Sequence, residues 1–428
     1  MNDSRDPECQ RLADAIPDPV HEICQRLASA GHRSWAVGGC VRDVLRGTPA
    51  EDWDIATDAR PQQITSVFRR VIPTGIKHGT VTVLIKKESF EVTTLRGESA
   101  YEDGRRPEKI AFLDDIEDDL ARRDFTFNAI AFDPIREELI DPFGGRRDLA
   151  ARQLRAVGVA IDRFAEDGLR VMRAARFAAT LECAIHSDTL AAMGSEVARN
   201  TLRKVSVERV RDEWLKAMLA KRPSIAFQLM REAQLLGACC PPLAELPNPS
   251  WNETMRLVDA TPVDPILRLA ALLHGISGPA SVAQALKVSK EQRGRIEGGL
   301  SPHPLPYDPS WTDAEVRRFL QRIGKNHKDD VIALGRAMHD ASTSQASPHI
   351  EELARRIEGQ LDAGVALTTR DLALDGGTLI AKLSLSPGPG VGRLLRLLLE
   401  RVTEEPELNR PEPLLAAARQ IASESDLC

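Results

Sequence analysis

Apolar and polar positions change texture along the chain. Between residues 34 and 154, short β-rich runs at 35–37, 81–85, 90–94 and 110–112 alternate with helical stretches and with glycine and proline punctuation. That texture predicts an α/β domain. Ahead of it, a polar start leads into one amphipathic helix over 19–30. From about residue 162 the β-rich runs stop. Apolar positions then recur at helical spacing over 162–180, 206–220, 223–238, 265–273, 314–323, 350–363 and 392–402, and proline-rich loops lie at 241–249 and 301–309. The expected class is α+β, an α/β head followed by an all-α remainder with no internal repeat of fixed period.

The length of 428 residues allows two to four domains at about 100–200 residues each. A net charge of −6 excludes a generally basic nucleic-acid coat but leaves room for a local basic face. Aromatics at 4% argue against a large β-sandwich or an array of base-stacking platforms. Seven cysteines with no Cys-x-x-Cys spacing argue against a disulfide framework or a zinc ribbon, and the expected location is the reducing cytoplasm. No apolar h-region opens the chain, and no apolar run approaches about 18 residues, so neither a signal peptide nor a membrane span is expected.

The most informative stretch is 35–57. A short strand runs into Gly38-Gly39, a helix opens with Val41-Arg42-Asp43, and Asp52-Trp53-Asp54 follows about a dozen residues on. A glycine pair between strand and helix lets backbone approach a phosphate. The helix N-terminus offers N–H groups, and Arg42 can add a fork of donors. Asp52 and Asp54 alternate along extended chain, so both carboxylates face one way. Two such carboxylates repel unless a cation lies between them, and Mg²⁺ takes one or two carboxylates plus substrate phosphates. Glu91, on the opposite face of its strand from Phe90 and Val92, is a candidate third acid. The glycine turn or the Asp-x-Asp alone is more often structural; together these elements indicate metal-dependent nucleotidyl transfer.

The run Val37-Gly38-Gly39-Cys40-Val41-Arg42-Asp43 with Asp52-Trp53-Asp54 resembles the first motif of the class II tRNA nucleotidyltransferase and bacterial poly(A) polymerase family. The resemblance continues through Asp103-Gly104-Arg105, Arg122-Arg123-Asp124-Phe125-Thr126-Phe127-Asn128, Asp141-Pro142-Phe143-Gly144-Gly145, Glu166-Asp167-Gly168-Leu169-Arg170 with Arg173 and Arg176, and Ser206-Val207-Glu208-Arg209. It implies a nucleotidyltransferase head over 1–160, a helical neck with nucleotide template and RNA-binding roles over 161–225, and a tRNA-binding body and tail over 226–428. It further implies an enzyme adding C, C and A to the tRNA 3′ end from CTP and ATP with release of pyrophosphate. Asp52 and Asp54 would hold Mg²⁺, with Glu91 beside them. Gly39, Arg42 and Arg123 would hold the triphosphate, Asn128 would reach sugar or phosphate, Asp124 would order its turn, and Asp167, Arg170, Arg173 and Arg176 would contact the nucleotide. His78-Gly79-Thr80-Val81 favours the CCA-adding branch. A poly(A) polymerase, a CC- or A-adding enzyme, and a catalytically inactive RNA-binding protein stay open, as does oligomeric state.

C and A share an exocyclic amino donor beside an unprotonated ring nitrogen, whereas U and G present a carbonyl beside a ring N–H. One acceptor next to one donor therefore selects both, and Asp167 and Arg170 are expected to supply that pair. On an uninterrupted helix these two would be neighbours, and Arg176 would point to nearly the opposite side. Seven basic and three acidic residues between 202 and 222, including Lys216, Lys221 and Arg222, suggest a stripe that tracks RNA phosphates. Ser206 is expected as an N-cap, with Glu208 and Arg209 as structural neighbours. His274 is expected as a packed residue at a helix end.

Overall fold

The computed structural model describes residues 6–76, 79–96, 112–343 and 347–424. Asp103-Gly104-Arg105, Lys77, His78 and residues 110–111 of the expected strand at 110–112 lie outside them. By packing, the chain divides into two compact units, Met1–Glu245 and Leu246–Cys428.

The first unit is built on a seven-stranded mixed sheet. Its strands are β1 (Ser34–Val37), β2 (Asp54–Thr57), β3 (Val71–Gly75), β4 (Thr80–Ile85), β5 (Glu88–Thr94), β6 (Ala131–Asp133) and β7 (Glu138–Ile140), in the order β3-β4-β5-β2-β1-β6-β7. β2 and β5 run parallel and the other neighbouring pairs antiparallel. Burial alternates along β4 and at Phe90, Val92 and Thr94 of β5, as a strand with one covered face requires. Trp35, Phe125, Phe127 and Phe132 are all but fully buried.

Two helices precede the sheet, α1 (Pro7–Ala15) and α2 (Asp18–Ser29). Helix α2 buries Val20, Ile23, Cys24 and Leu27, the i, i+3, i+4, i+7 stripe that its spacing predicts. The expectation of a merely polar start is corrected by α1. Asp6 caps it by accepting from the Glu8 N–H at 3.0 Å, Pro7 occupies its first position, and Leu12 is fully buried. Helices α3 (Gly39–Leu45), α4 (Pro61–Val67), α5 (Ile116–Ala121) and α6 (Gly145–Ala150) connect the strands.

Strand character does not end at residue 162. β8 (Gln153–Leu154) pairs in parallel with β9 (Ala184–Ile185) as a small ribbon. The helix expected over 162–180 is two helices, α7 (Ala160–Glu166) and α8 (Leu169–Thr180). Asp167 at the break is extended, at φ −144° and ψ 108°. Gly168 explains the break: a Cβ there would lie 2.4 Å from the Thr201 carbonyl carbon and 2.5 Å from the Leu202 nitrogen. The chain makes backbone-to-backbone contact at that point, and only glycine permits it. Helices α9 (Ser187–Met193), α10 (Glu196–Leu202), α11 (Val207–Ala217) and α12 (Ser224–Glu232) follow. Ser206 stands at the N-cap of α11 but makes no side-chain capping bond, which corrects that expectation.

The regular elements among the described residues of the second unit are all helices. One core gathers Val316, Phe319, Leu320, Leu353 and Ile357, and another Leu379, Leu394, Leu398, Leu414 and Ala418. His274, expected to be packed, ends the helix Pro265–Leu273 in an exposed position. No helix among the described residues is long and apolar enough to cross a membrane.

Candidate active site

A cavity of about 770 Å³ in the first unit collects Asp52, Asp54, Glu91, Gly39, Arg42, Arg123 and Asn128 from the head, and Asp167, Arg170, Arg173 and Arg176 from the helices beyond. All the site residues expected from the sequence line it.

Register builds its acidic wall. Val37 pairs with Asp54, and Ile55 with Val92 in the parallel pair. One step back along that parallel register, Asp54 stands beside Glu91. Trp53 is buried while Asp52 and Asp54 stay open to the cavity. Asp52 precedes β2 rather than belonging to it, yet the alternation expected for the pair holds. Burial among the cavity walls pushes the Asp54 carboxyl above its usual range. Glu91 and Asp52 push the same way, and Arg123 opposes them. Among the described residues, the carboxylates of Asp52, Asp54 and Glu91 take part in no ion pair.

Such unneutralised acids fit a divalent cation. Among the described residues, however, no three His, Cys, Asp or Glu side chains close into a cage that would hold one unaided. The donor set thus suits Mg²⁺, which keeps waters and takes its remaining oxygens from a phosphate substrate.

The opposite wall is cationic. Arg42 forks onto the Asp43 carboxylate at 2.9 and 2.8 Å and donates to Asn128 Oδ1 at 2.8 Å. The Asn128 amide also donates to Asp124 at 3.0 Å. The Asn128 amide thus bridges Arg42 and Asp124 and orients Arg42. Asp124 accepts from the Phe125 N–H at 2.8 Å and from Arg173 Nε at 2.6 Å. Burial works against its charge, but Arg173, Asn128 and the Phe125 N–H together hold its carboxyl below the usual range. Arg123 donates to the Asn128 carbonyl at 3.3 Å and to Asp119 at 3.4 Å, while its Nε is buried without a hydrogen-bond partner. Gly38, at φ +79°, makes room for that arginine, since a Cβ there would lie 2.8 Å from Arg123 Nη1.

Asp167 and Arg170 do not pair. The Asp167 carboxylate accepts from Arg209 Nη2 at 2.7 Å and from the Leu169 N–H at 2.9 Å. Arg170 donates to Glu166 at 2.6 Å and to the Arg122 carbonyl at 2.8 Å. Arg176 does not turn away either; it bonds Glu213 at 2.5 Å and lines the same cavity. Sequence reasoning passed over Asp119 and Glu213, the buried acids that hold Arg122 and Arg176, and treated Arg209 as a capping neighbour. Lys216, expected on an outer stripe, lines the cavity.

Comparison with known proteins agrees with this geometry. Residues 34–155 match the family described as "Poly A polymerase head domain", and residues 184–246 match "Probable RNA and SrmB- binding site of polymerase A". The CCA-adding enzyme of Lactiplantibacillus plantarum is 32% identical over 419 residues, covering 94% of this chain and 95% of that protein. The chain belongs to the CCA-adding enzyme family. The enzyme of Limosilactobacillus fermentum is 34% identical, covering 94% of this chain and 97% of its own. The crystal structure of the Bacillus stearothermophilus CCA-adding enzyme in complex with CTP aligns at a TM-score of 0.79 and 28% identity, covering 99% of this chain and 100% of that one. Members of the family are nucleotidyltransferases and generally depend on a divalent metal.

Proposed function

We propose that this chain adds C, C and A to the 3′ end of tRNA from CTP and ATP, releasing pyrophosphate at each addition. One observation carries the reading: three unpaired carboxylates, Asp52, Asp54 and Glu91, face a wall of arginines across a single cavity that opens beside the Gly38-Gly39 turn.

Asp52 and Asp54 would hold Mg²⁺, with Glu91 as the adjoining acid. When bound, the ion supplies charge neutralisation at the phosphates and a lower pKa for the attacking 3′-hydroxyl. Gly39, Arg42 and Arg123 hold the triphosphate, and Asn128 keeps Arg42 in place. Asp167 accepts from the exocyclic amino group of C or A, and Arg170 donates to the adjacent ring nitrogen. Against U or G the carboxylate would meet a carbonyl and the guanidinium an N–H, stranding two charged groups at roughly 1–3 kcal/mol or more each. Arg209 supports this selection by fixing the Asp167 carboxylate.

In functional terms the chain is assigned a catalytic head over 1–160, a template neck over 161–225 and a tRNA-binding body and tail over 226–428. The free cysteines among the described residues and the nature of the substrates favour the cytoplasm.

The test is nucleotide addition to tRNA lacking its last one, two or three nucleotides, with CTP, ATP or both. Completion of CCA and no further growth is the expected product, and an A-only ladder would mark a poly(A) polymerase instead. Asp52→Ala and Asp54→Ala should each abolish addition while the protein stays folded. Near wild-type turnover in either variant would overturn the acid assignment, whereas tRNA binding with no addition by the unsubstituted chain would mark an RNA-binding protein.

A further inference from the structure

Three of the cavity's arginines converge on one aromatic ring. The Cζ of Arg176 lies 3.9 Å over the centroid of Phe177, and those of Arg42 and Arg173 each lie 5.3 Å from it. Arg42 arrives from α3 beside the glycine turn, whereas Arg173 and Arg176 arrive from α8. The ring is therefore the point at which the phosphate-facing and base-facing halves of the cavity meet. It is itself held rigid. Phe177 is 5% exposed and stands nearly perpendicular to Phe125 and Phe127, with centroids at 5.8 and 5.6 Å.

Packing alone does not account for an aromatic residue here. A leucine could fill much of the volume, but it would leave three like charges crowded around an apolar side chain. The negative face of an aromatic ring attracts guanidinium instead. The crowding registers in Arg176: burial works against its charged form, Glu213 opposes that effect, Arg173 adds to it, and the net is a lowered pKa.

We propose that Phe177 is a positioning residue for the nucleotide: its π-face gathers Arg42, Arg173 and Arg176 into one fixed fan aimed into the cavity. This rests on the reading that those arginines bind the incoming nucleotide. The carboxylate partners link at most two of these arginines: Asp43 holds Arg42, Asp124 holds Arg173, and Glu213 holds Arg176 and stands 3.9 Å from Arg173. Only the ring is common to all three, so it sets their spacing relative to one another.

The test replaces Phe177 in the full-length chain with mono-, di- and trifluorinated phenylalanine. Fluorine drains the ring face of negative charge with little change in shape. The KM for CTP on tRNA lacking CCA should rise stepwise with each fluorine, to about tenfold at three. The kcat should stay within about twofold, with the tRNA KM and the melting temperature unchanged. Phe177→Leu should raise the CTP KM at least as far as the trifluoro variant. A flat KM series in an active enzyme overturns the inference while leaving the activity intact. A KM that rises only where the melting temperature falls also overturns it, because the ring would then be acting through packing. An unsubstituted chain that adds no nucleotide removes the activity itself, and this inference with it.

Discussion

Adjacent glycines at 38 and 39 should respond to alanine in opposite ways. Gly38 has φ +79° and ψ −123°, a mirror-image extended conformation that side chains avoid at about 1–3 kcal/mol. Its Cβ would also lie 2.8 Å from Arg123 Nη1. That atom is the end of a flexible side chain, so the arginine moves rather than the backbone, and its 3.3 Å bond to the Asn128 carbonyl is lost at about 0.5–1.5 kcal/mol. Together these give about 3 kcal/mol, or roughly 6–12 °C in the melting of a unit this size. At Gly39 the nearest atom to a Cβ is Arg42 Nη2 at 3.7 Å, an ordinary contact, and the residue opens a helix. Gly39→Ala should therefore keep or slightly raise the melting temperature and express any loss as a higher KM for CTP, since the added methyl meets only substrate. Scanning calorimetry and nucleotide-addition kinetics on the two variants read both quantities. A Gly38→Ala protein that melts within about 2 °C of wild type with an unchanged CTP KM would refute the account of the turn.

Gly168→Ala should cost about 3 kcal/mol or more, because the clashing atoms are backbone of Thr201 and Leu202 and cannot swing aside; it should also raise misincorporation of UTP and GTP by displacing Asp167. Asp124→Asn should cost about 2–3 kcal/mol at pH 7 by removing the nearer partner of Arg173 and leaving it only Glu213, 3.9 Å away. The Asp124 pKa is depressed in the folded state, so its contribution is complete above its ordinary value of 3.8 and fades as the pH falls below that; melting curves should show the two proteins converging only there, and a gap that widens on acidification would contradict the assignment. Replacing Lys216, Lys221 and Arg222 together with alanine should flatten the slope of log tRNA affinity against log salt by about 2 without changing which nucleotide is added, and an unchanged slope would show that these residues bind no RNA phosphates.

What could be read from the sequence was whatever depends on near neighbours. The stripe of α2, the alternation that exposes Glu91 between Phe90 and Val92, and the facing of Asp52 and Asp54 all follow from one period each. The helix break at Asp167 was nearly legible, because an Asp-Gly pair ahead of an apolar run is a start signal as much as a continuation. What hid it is the contact of Gly168 with α10, more than thirty residues on. Once Asp167 leaves the helix, the rotation argument that sent Arg176 to the far side loses its origin. Partner choice was less legible still. Arg173 finds Asp124 49 residues away and Arg209 finds Asp167 42 residues away, while Arg42 takes Asp43, a neighbour that a helix does not ordinarily bring face to face. Gly145 carries no chemistry at all: its Cβ would lie 2.2 Å from the Thr126 carbonyl oxygen, so that part of the Asp-Pro-Phe-Gly-Gly run is a packing requirement.

The division of charge inside the cavity explains how a chain of net −6 can grip a polyanion. Of the eight arginines that line it, Arg42 is attached to Asp43, Arg122 and Arg123 to Asp119, Arg170 to Glu166, Arg173 to Asp124, Arg176 to Glu213 and Arg209 to Asp167. Pairing offsets much of their mutual repulsion and fixes their geometry before a ligand arrives, so less side-chain entropy is lost on binding. A guanidinium has five N–H donors, and one carboxylate does not exhaust them. Attraction thus depends on where the remaining donors point rather than on net charge. The acids without an arginine are grouped separately, on β5 and at the start of β2. Two kinds of acid therefore share one cavity. Replacing one on the helical side releases an arginine from its aim and weakens nucleotide binding; replacing one on the strand side removes a seat for a cation and stops the chemistry. Asp119 and Asp54 are the same residue type seen in sequence, and only the attached arginine tells their roles apart.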